Sequence, residues 1–315
     1  MKILVVGGAG YLGGAVTDIL CTTSGHQVRV YDLLLYEDRY LKQGVEFVFG
    51  DVLDYERLSP HLKWADAVIW LAAIVGDGAC AINPELSKKV NQESIGFLVK
   101  KFKGRIVFPS TCSVYGASSG ILDELSVTTP LSVYAQTKLQ AEDYLRDSNS
   151  VIFRLGTLFG MSDYYSRIRF DLVVNTLTLR AHIDKKLTVF GGDQFRPVLH
   201  VRDAAKSICL ATVGGDAGIY NLHKQNVRIS DLAYQIRNHF SDAEIIQTPM
   251  EFEDSRNYRV SSDKAIDVLG FCPTTSIDFG IEQIKWVLGE GRIKDPSHPN
   301  YSNQSHLRAA IPKEG

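Results

Sequence analysis

The first half of the chain alternates short apolar runs with longer mixed segments. Six of the runs are continuously apolar, which is typical of strands buried on both faces of a parallel sheet. They span residues 3–6, 27–31, 45–49, 67–71, 105–108 and 151–153. The segments between them are long enough for crossover helices, which we predict at residues 12–20, 84–102 and 132–146. This alternation predicts a doubly wound α/β fold with a parallel sheet.

The alternation weakens after about residue 155. Helical patterns follow at residues 199–212, 229–239, 263–269 and 281–287, with fewer strands between them. We therefore predict a smaller, discontinuous α+β substrate domain built from about 156–195 and 223–290. The cofactor domain would be residues 1–155, to which about 196–222 returns. The polar residues 291–315 are expected to form a loose tail.

Composition narrows the class of protein. The 315 residues suit about two domains, and 45% hydrophobic with 22% charged residues is ordinary for a globular chain. A net charge of −2 argues against a nucleic-acid partner, and no apolar run reaches the ~20 residues of a membrane span. The five cysteines are widely spaced and the eight histidines lack metal-ligand spacing. We expect no metal site, no disulfide framework and a cytoplasmic location.

A glycine-rich loop follows the first predicted strand and opens the first predicted helix. Gly7, Gly10 and Gly13 are spaced three residues apart. One permits a tight turn, one lets backbone approach a pyrophosphate, and one lets helix pack on strand. The helix N-terminus then directs N–H groups at the phosphates. Asp32 ends the second strand about 20 residues farther on, where a carboxylate suits ribose hydroxyls and repels a 2′-phosphate, so we predict NAD rather than NADP.

A second pattern, Tyr134-x-x-x-Lys138, places a phenol and an ammonium on one face of a predicted helix that has Ser132 as its N-cap. A free phenol, with a pKa near ~10, is a poor base at neutral pH. A nearby lysine and a positively charged nicotinamide ring favour the phenolate. Such a tyrosine can take a hydroxyl proton while hydride leaves the same carbon. Residues 109–116 add hydroxyls at the carboxyl end of the fifth strand.

Taken together, these features resemble the extended short-chain dehydrogenases/reductases of the nucleotide-sugar epimerase/dehydratase family. The resemblance covers about residues 1–290. Its motifs are Gly7-x-x-Gly10-x-x-Gly13, Asp32, Gly50-Asp51-Val52, Leu71-Ala72-Ala73, residues 110–116, Tyr134-x-x-x-Lys138 and Arg196-Pro197-x-x-His200-Val201-x-Asp203. It implies a Rossmann fold, NAD as cofactor, and a nucleoside-diphosphate sugar (GDP-, UDP- or dTDP-linked) as substrate. It also implies a homodimer formed through the helices at 84–102 and 132–146.

The resemblance implies roles for individual residues. Tyr134 would be the catalytic base and acid, Lys138 would bind the nicotinamide ribose, and Thr111 would hydrogen-bond the reacting sugar hydroxyl. The cofactor-binding residues would be Gly7, Gly10, Tyr11, Leu12, Gly13, Asp32, Asp51, Val52, Leu71, Ala72, Ala73 and Lys138. The substrate-binding residues would be Thr111, Ser113, Asn175, Arg196 and Arg256. A guanidinium can bind phosphate oxygens through two N–H groups, which suits the two arginines.

Two departures refine the expected reaction. Related 4,6-dehydratases carry Asp-Glu after the threonine, whereas this chain has Cys112-Ser113, which argues against 4,6-dehydration. We expect Cys112 to be a small packed residue. The chain also has a local similarity to a subgroup acting on GDP-heptose or similar bacterial surface sugars. The similar segments are residues 71–76, Cys80, Asn83-Pro84 and 167–175. That likeness would put Asp77 and Cys80 near the sugar, with loop packing as an equally expected role.

The resulting hypothesis is NAD-dependent hydride transfer at carbon 4 of a nucleotide sugar. The enzyme would be a 4-epimerase or a 4-dehydrogenase/4-ketoreductase, in bacterial surface polysaccharide or sugar-nucleotide biosynthesis. One alternative is a non-enzymatic NAD(P)-binding sensor or scaffold, although such relatives usually lose the tyrosine or the lysine. The other is a reductase of a non-nucleotide ketone, against which Arg196 and the arginine-rich stretch at Arg167 and Arg169 argue, because they favour a diphosphate.

Overall fold

A seven-stranded parallel sheet forms the centre of the computed structural model, which describes residues 1–23, 25–37, 39–249 and 257–310. Its strands are β1 (Lys2–Val6), β2 (Gln27–Asp32), β3 (Glu46–Phe49), β4 (Ala67–Trp70), β5 (Arg105–Thr111), β7 (Ser150–Leu155) and β11 (Gly218–Leu222). The order β11-β7-β5-β4-β1-β2-β3 reverses direction between β1 and β4. This confirms the predicted doubly wound fold, whose ligands bind at the carboxyl ends of the strands beside that reversal.

Helices cover both faces of the sheet. On one face lie α1 (Tyr11–Thr22) and α8 (Val201–Val213), and on the other lie α2 (Tyr55–Trp64), α5 (Ser94–Lys101) and α6 (Val133–Leu145). Ile3 and Val5 belong to the first core and Leu4 and Val6 to the second, and all four are fully buried. The predicted helix over residues 84–102 is interrupted: α4 (Pro84–Lys88) passes through a π-helical turn (Lys89–Glu93) into α5. The continuous apolar pattern of β1 therefore reflects burial on both faces of the sheet.

The second lobe is built around smaller sheets. β8 (Thr157–Phe159), β10 (Phe195–His200) and β12 (Gln225–Arg228) form one, while β9 (Lys186–Phe190) and β13 (Glu244–Thr248) form another. Around them lie α7 (Val173–Ile183), α9 (Ile229–Arg237) and α11 (Ile277–Gly289). β6 (Ile121–Leu122) pairs with β14 (Arg259–Val260), and α10 (Asp263–Leu269) follows. Of the returning segment 196–222, β11 is a strand of the large sheet and α8 packs against the face of that sheet, whereas β10 belongs to the three-stranded sheet of the second lobe.

Much of the segment 299–310 is helical, which corrects for this stretch the expectation of a loose tail. Residues Pro299–Tyr301 form a 3₁₀ turn and α12 (Asn303–Ala310) follows it, packed against α3 (Asp77–Cys80). Leu307 is buried against Ile74 and Cys80, so it contributes apolar contact that the polar composition of the segment conceals. Residues 311–315 lie outside the described part of the chain. Within the described ranges, none of the helices has the length and apolar character to cross a membrane.

Candidate active site

A cavity of about 1530 Å³ lies between the carboxyl ends of the large sheet and the second lobe. It exceeds the roughly 300–1000 Å³ of a pocket for one small ligand, so it has room for a dinucleotide and a second molecule. Most of the predicted site residues line it, namely Gly7, Gly10, Tyr11, Leu12, Gly13, Asp32, Asp51, Val52, Leu71, Ala72, Ala73, Thr111, Ser113, Tyr134, Lys138 and Arg196.

The glycine loop has the geometry that a dinucleotide site requires. Gly7 has φ of +84°, and a Cβ there would lie 2.3 Å from the backbone nitrogen of Ala72. A Cβ on Gly13 would lie 2.6 Å from the carbonyl oxygen of Gly7. Both positions therefore exclude any side chain. Gly10 is the N-cap of α1, so no side chain blocks the first N–H groups of the helix, which remain available to phosphate oxygens.

Asp32 closes the adjacent end of the cavity. Its carboxylate accepts hydrogen bonds from the backbone N–H of Ala9 at 2.9 Å and of Leu34 at 2.7 Å. Burial raises the pKa of this carboxyl, and the hydrogen bonds from Ala9 and Leu34 act in the opposite direction. The amides thus fix the carboxylate beside the glycine loop, where it suits the hydroxyls of an adenosine ribose.

Thr111, Tyr134 and Lys138 converge on the same cavity from two elements. Thr111 ends β5 and its Oγ1 accepts a hydrogen bond from the backbone N–H of Ser113. Tyr134 and Lys138 lie one turn apart on α6, whose N-cap Ser132 accepts from the N–H of Ala135. The Tyr134 and Thr111 side chains both line the cavity. The Nζ of Lys138 lies 3.8 Å from the centre of the Phe108 ring.

Burial dominates the electrostatics of this group. It raises the pKa of Tyr134 above its usual value, and the positive charge of Arg169 acts in the opposite direction. Burial also lowers the pKa of Lys138 to about 7, although the negative charge of Glu142 opposes that shift. Without a ligand, therefore, the phenol stays protonated and the lysine titrates near neutral pH. A positive charge placed in the cavity favours the phenolate.

Residues 3–222 match the model of the NAD dependent epimerase/dehydratase family. The chain belongs to this family. It is 27% identical to the dTDP-glucose 4,6-dehydratase of Streptomyces niveus, over 91% of this chain and 92% of that one. It is 30% identical to the UDP-glucose 4-epimerase of Rhizobium meliloti, over 70% and 76%. The structure of the UDP-glucuronic acid 4-epimerase from Bacillus cereus, in complex with UDP-glucuronic acid and NAD, matches with a TM-score of 0.80 at 26% identity, over 92% of this chain and 100% of that one.

Family membership makes the chain an NAD-dependent enzyme of the epimerase/dehydratase type, as the motifs predicted. The glycine loop and Asp32 fit that cofactor, because they leave room for the pyrophosphate and present a carboxylate to a ribose. No cluster of three His, Cys, Asp or Glu side chains suited to a metal occurs in the described ranges.

Beneath the catalytic face of α6 lies a buried ionic network that the sequence reasoning missed. Glu142 continues the face of Tyr134 and Lys138, accepts a short hydrogen bond from Ser110, and forms an ion pair with Arg154 at 2.7 Å. Arg154 also donates to the hydroxyl of Tyr115 at 2.9 Å. The signal was present: a guanidinium inside the apolar strand β7 requires a buried acidic partner.

A second missed residue holds the segment after β4. Asn91, in the π-helical turn, donates to the carbonyl of Ile74 at 2.9 Å and accepts from its N–H at 2.8 Å. π-Helical turns are often found at functional sites, and this one fixes the backbone that lines the cofactor end of the cavity. A π-helical turn has no apolar periodicity of its own, so sequence reasoning could not predict it.

The predicted substrate residues divide into three groups. Ser113 and Arg196 reach the cavity, and the Arg196 guanidinium lies 5.9 Å from the centre of the Tyr258 ring. Asn175 does not, which corrects its assignment: it is fully buried, accepts from the N–H of Gly160 and donates to the carbonyl of Arg169. Its amide therefore supports the cavity wall from behind. Arg256 lies outside the described residues.

The cysteines stay away from the cavity, whereas one acidic candidate reaches it. Cys112 is fully buried with its thiol directed to the carbonyl of Arg154, as expected for a packed residue, and burial raises its pKa. Cys80 is also fully buried and its thiol points to the carbonyl of Ile74. Asp77 lines the cavity and accepts from Ser132 at 2.7 Å. Of the two residues expected near the sugar, the geometry favours Asp77.

Proposed function

We propose that this enzyme transfers a hydride at carbon 4 of a nucleoside-diphosphate sugar. The observation that carries the proposal is that Thr111, Tyr134, Lys138 and Arg196 line the same cavity as the glycine loop. The first three supply a proton acceptor beside the nicotinamide position, and Arg196 supplies a cation suited to a diphosphate. The relatives named above act on UDP- and dTDP-linked sugars, which supports this substrate class.

The chain's own residues account for the proton transfer. Thr111 and Tyr134 line the same cavity, so a sugar hydroxyl placed between them meets both oxygens. NAD⁺, when bound, would supply the hydride acceptor and a positive charge that opposes the effect of burial on the Tyr134 pKa. Lys138 binds the nicotinamide ribose and holds its own charge near the phenolate. Tyr134 then takes the hydroxyl proton as the hydride leaves, and returns it when the ketone is reduced.

The positions after Thr111 support a reaction confined to carbon 4. Removal of water across carbons 5 and 6 needs an acid and a base beside the sugar. Cys112 is buried with a raised pKa, and Ser113 is a neutral hydroxyl that lies 3.4 Å from the Tyr258 hydroxyl. Neither replaces a carboxylate. We therefore favour 4-epimerisation or 4-oxidation/reduction over 4,6-dehydration, although a 4,6-dehydratase is among the relatives.

Further parts of the proposal concern organisation and substrate. We propose that residues 1–155 with α8 and β11 bind NAD, and that the second lobe binds the nucleotide end of the substrate. We also propose a homodimer through the helical segment 84–102 and α6, and a GDP-heptose-like or related surface sugar among the candidate substrates. Size-exclusion chromatography with light scattering tests the dimer, and identifying nucleotide retained by the purified protein narrows the substrate.

Replacing the phenol tests the reaction. Tyr134→Phe should lower kcat on the best of a panel of UDP-, dTDP- and GDP-sugars by roughly 10²- to 10⁴-fold, because the proton acceptor is removed. NAD affinity should be unchanged. Tyr144→Phe, a 45% exposed tyrosine on the same helix, is the matched control and should retain full activity. Product NMR then separates an epimer from a released ketone. Undiminished turnover by Tyr134→Phe contradicts the mechanism.

A further inference from the structure

An arginine near Tyr134 has a geometry that the proposed mechanism leaves unused. Arg169 follows β8 in the second lobe and lines the cavity with Thr111 and Tyr134. Its Nε donates to one oxygen of Asp171 at 2.9 Å and its Nη2 to the other at 3.0 Å. In the described part of the chain its Nη1 has no hydrogen-bond partner, and 11% of the side chain remains exposed. One edge of the guanidinium is thus anchored, while the other is open to a ligand.

The C-terminal segment holds this pair from behind. The backbone N–H of Asn303 donates to Asp171 at 2.9 Å, and the Asn303 side chain donates to the carbonyl of Val75 at 2.8 Å. Arg167 adds a second tie, because it donates to the carbonyl of Asn300 at 2.7 Å and to the side chain of Asn303. The second lobe, α12 and the loop after β4 are therefore joined at Asp171. Such anchoring restricts the position of a long side chain before a ligand arrives.

The positive charge of Arg169 acts on the proposed catalytic tyrosine, Tyr134. It opposes the burial that raises the pKa of Tyr134, and it acts in the same direction on Tyr11. Asp171 balances the charge of Arg169 within the wall, so the open edge suits a neutral acceptor such as a hydroxyl oxygen. A diphosphate carries more charge than a hydroxyl and is better served by the second arginine of the cavity, Arg196.

We propose that Arg169 binds a hydroxyl oxygen of the sugar at the reacting end of the substrate, with Asp171 and Asn303 as positioning residues. The inference rests on the proposed function, because it assumes a nucleotide sugar in the cavity. It separates recognition into two parts: Arg169 contacts the sugar, and Arg196 contacts the diphosphate. Binding of the free nucleoside diphosphate therefore depends on Arg196 and is insensitive to Arg169.

The test compares a nucleotide sugar with its own free nucleoside diphosphate. Arg169→Lys should raise KM for the sugar nucleotide roughly 10- to 100-fold, since a lysine cannot keep the bidentate hydrogen bond to Asp171 and also donate to the substrate. The inhibition constant of the free diphosphate should change less than about twofold. Arg196→Lys should raise both constants. Arg146→Lys, which replaces an exposed arginine paired with Asp143, is the control.

Asp171→Asn tests the positioning role. It should raise KM for the sugar nucleotide while NAD affinity and the diphosphate inhibition constant stay unchanged, a combination that general loosening of the cavity would not produce. If Arg169→Lys weakens free diphosphate as much as the sugar nucleotide, Arg169 grips the diphosphate and the inference is overturned. It is equally overturned if neither constant changes. The parent protein could instead bind sugar nucleotides with a uronic acid more tightly than those without one. If Arg169→Lys abolishes only that preference, Arg169 binds a carboxylate instead of a hydroxyl and the assignment is overturned.

The proposed function can be tested separately from the role of Arg169. Calorimetry of the parent protein compares the affinities of sugar nucleotide and free diphosphate without requiring turnover. If the sugar adds no affinity and no turnover is found, both proposals fail. If the parent turns over a sugar nucleotide but Arg169→Lys behaves like Arg146→Lys, the function stands and the Arg169 inference alone fails.

Discussion

Gly7 and Gly10 lie in the same loop but differ in what a side chain would meet. A Cβ on Gly7 would lie 2.3 Å from backbone, at a positive φ of +84°. Gly10 has an ordinary φ of −76°, and the nearest heavy atom to its Cβ would be 3.8 Å away. The first glycine is therefore required by the fold, and the second is required by whatever occupies the cavity.

Alanine substitutions at these two glycines should have different effects on stability and NAD binding. Gly7→Ala should lower the free energy of unfolding by more than about 2 kcal/mol, because both strain and a backbone clash must be relieved. Gly10→Ala should leave the thermal midpoint of the NAD-free protein unchanged and weaken NAD binding at least about tenfold. Gly44→Ala, at positive φ in open space, controls for strain alone. Unaltered NAD affinity in Gly10→Ala would count against pyrophosphate binding at this loop.

Lys138 predicts a pH dependence of stability with a definite sign. Its pKa in the folded protein is lowered to about 7 from an ordinary 10.5, so between these values the unfolded chain binds more protons than the folded one. Stability from this group therefore rises with pH across that window, and burial of the charged lysine is most unfavourable below pH 7.

Removing the charge should reveal this cost. Lys138→Met should raise the free energy of unfolding at pH 6 by roughly 1–3 kcal/mol, and the gain should vanish as the pH approaches 10. Lys101→Met, on the exposed end of α5, should show neither effect. Urea titrations at a series of pH values measure both. A gain that does not depend on pH would mean that packing, and not charge, is responsible.

At the scale of elements, the Glu142–Arg154 pair joins α6 to β7 beneath the catalytic helix face. Both side chains are almost fully buried, at 2% and 5% exposure. Loss of one partner leaves a buried charge uncompensated, whereas loss of both does not. The pair therefore determines how α6, and with it Tyr134 and Lys138, sits against the sheet.

A double-mutant comparison tests this connection. Arg154→Met alone should lower the free energy of unfolding by about 3–5 kcal/mol. The double variant Glu142→Leu with Arg154→Met should recover most of that loss while kcat remains reduced, because Lys138 loses its acidic neighbour. Chemical denaturation and steady-state kinetics are the measurements. Additive losses in the double variant would show that the two residues act independently.

At the scale of the whole molecule, α12 closes the cavity between the two lobes. Leu307 is buried at 4% exposure beside Ile74, and Asn303 and Gln304 line the cavity. A Cβ on Gly78 would lie 2.6 Å from the Gln304 side chain, so the helix is in close contact with α3. The helix α12 therefore contributes side chains to the wall of the cavity.

Disrupting this contact should impair both stability and catalysis. Leu307→Asp should lower the free energy of unfolding by about 2–4 kcal/mol, since a carboxylate replaces a buried side chain. It should also lower kcat/KM for the sugar nucleotide. Ala309→Asp introduces the same charge at an exposed position of α12 and should change neither. Normal kinetics in Leu307→Asp would place α12 outside the functional unit.

Local patterns were sufficient for the sheet and the cofactor loop, and insufficient for the cavity wall. Strands β1 to β5 and β7 were predicted from short runs rich in apolar residues, whereas β11 was missed because Asn221 interrupts its short pattern. Asn175 looked like a ligand in sequence, yet its amide satisfies the backbone of Gly160 and Arg169. A side chain's hydrogen-bond partners depend on which backbone groups lie near it, and spacing along the chain does not report them.

The sequence by itself determined the α/β class, the dinucleotide loop with Asp32, and the grouping of Tyr134 with Lys138, because each depends on residues close together in the chain. Only the tertiary structure decided that Glu142 pairs with Arg154, that Arg169 stands beside Tyr134 with Asp171 behind it, and that a polar tail becomes the cavity wall. Those arrangements depend on contacts between residues as far apart as Val75 and Asn303. They form only when burial of the two lobes and α12 brings such residues together.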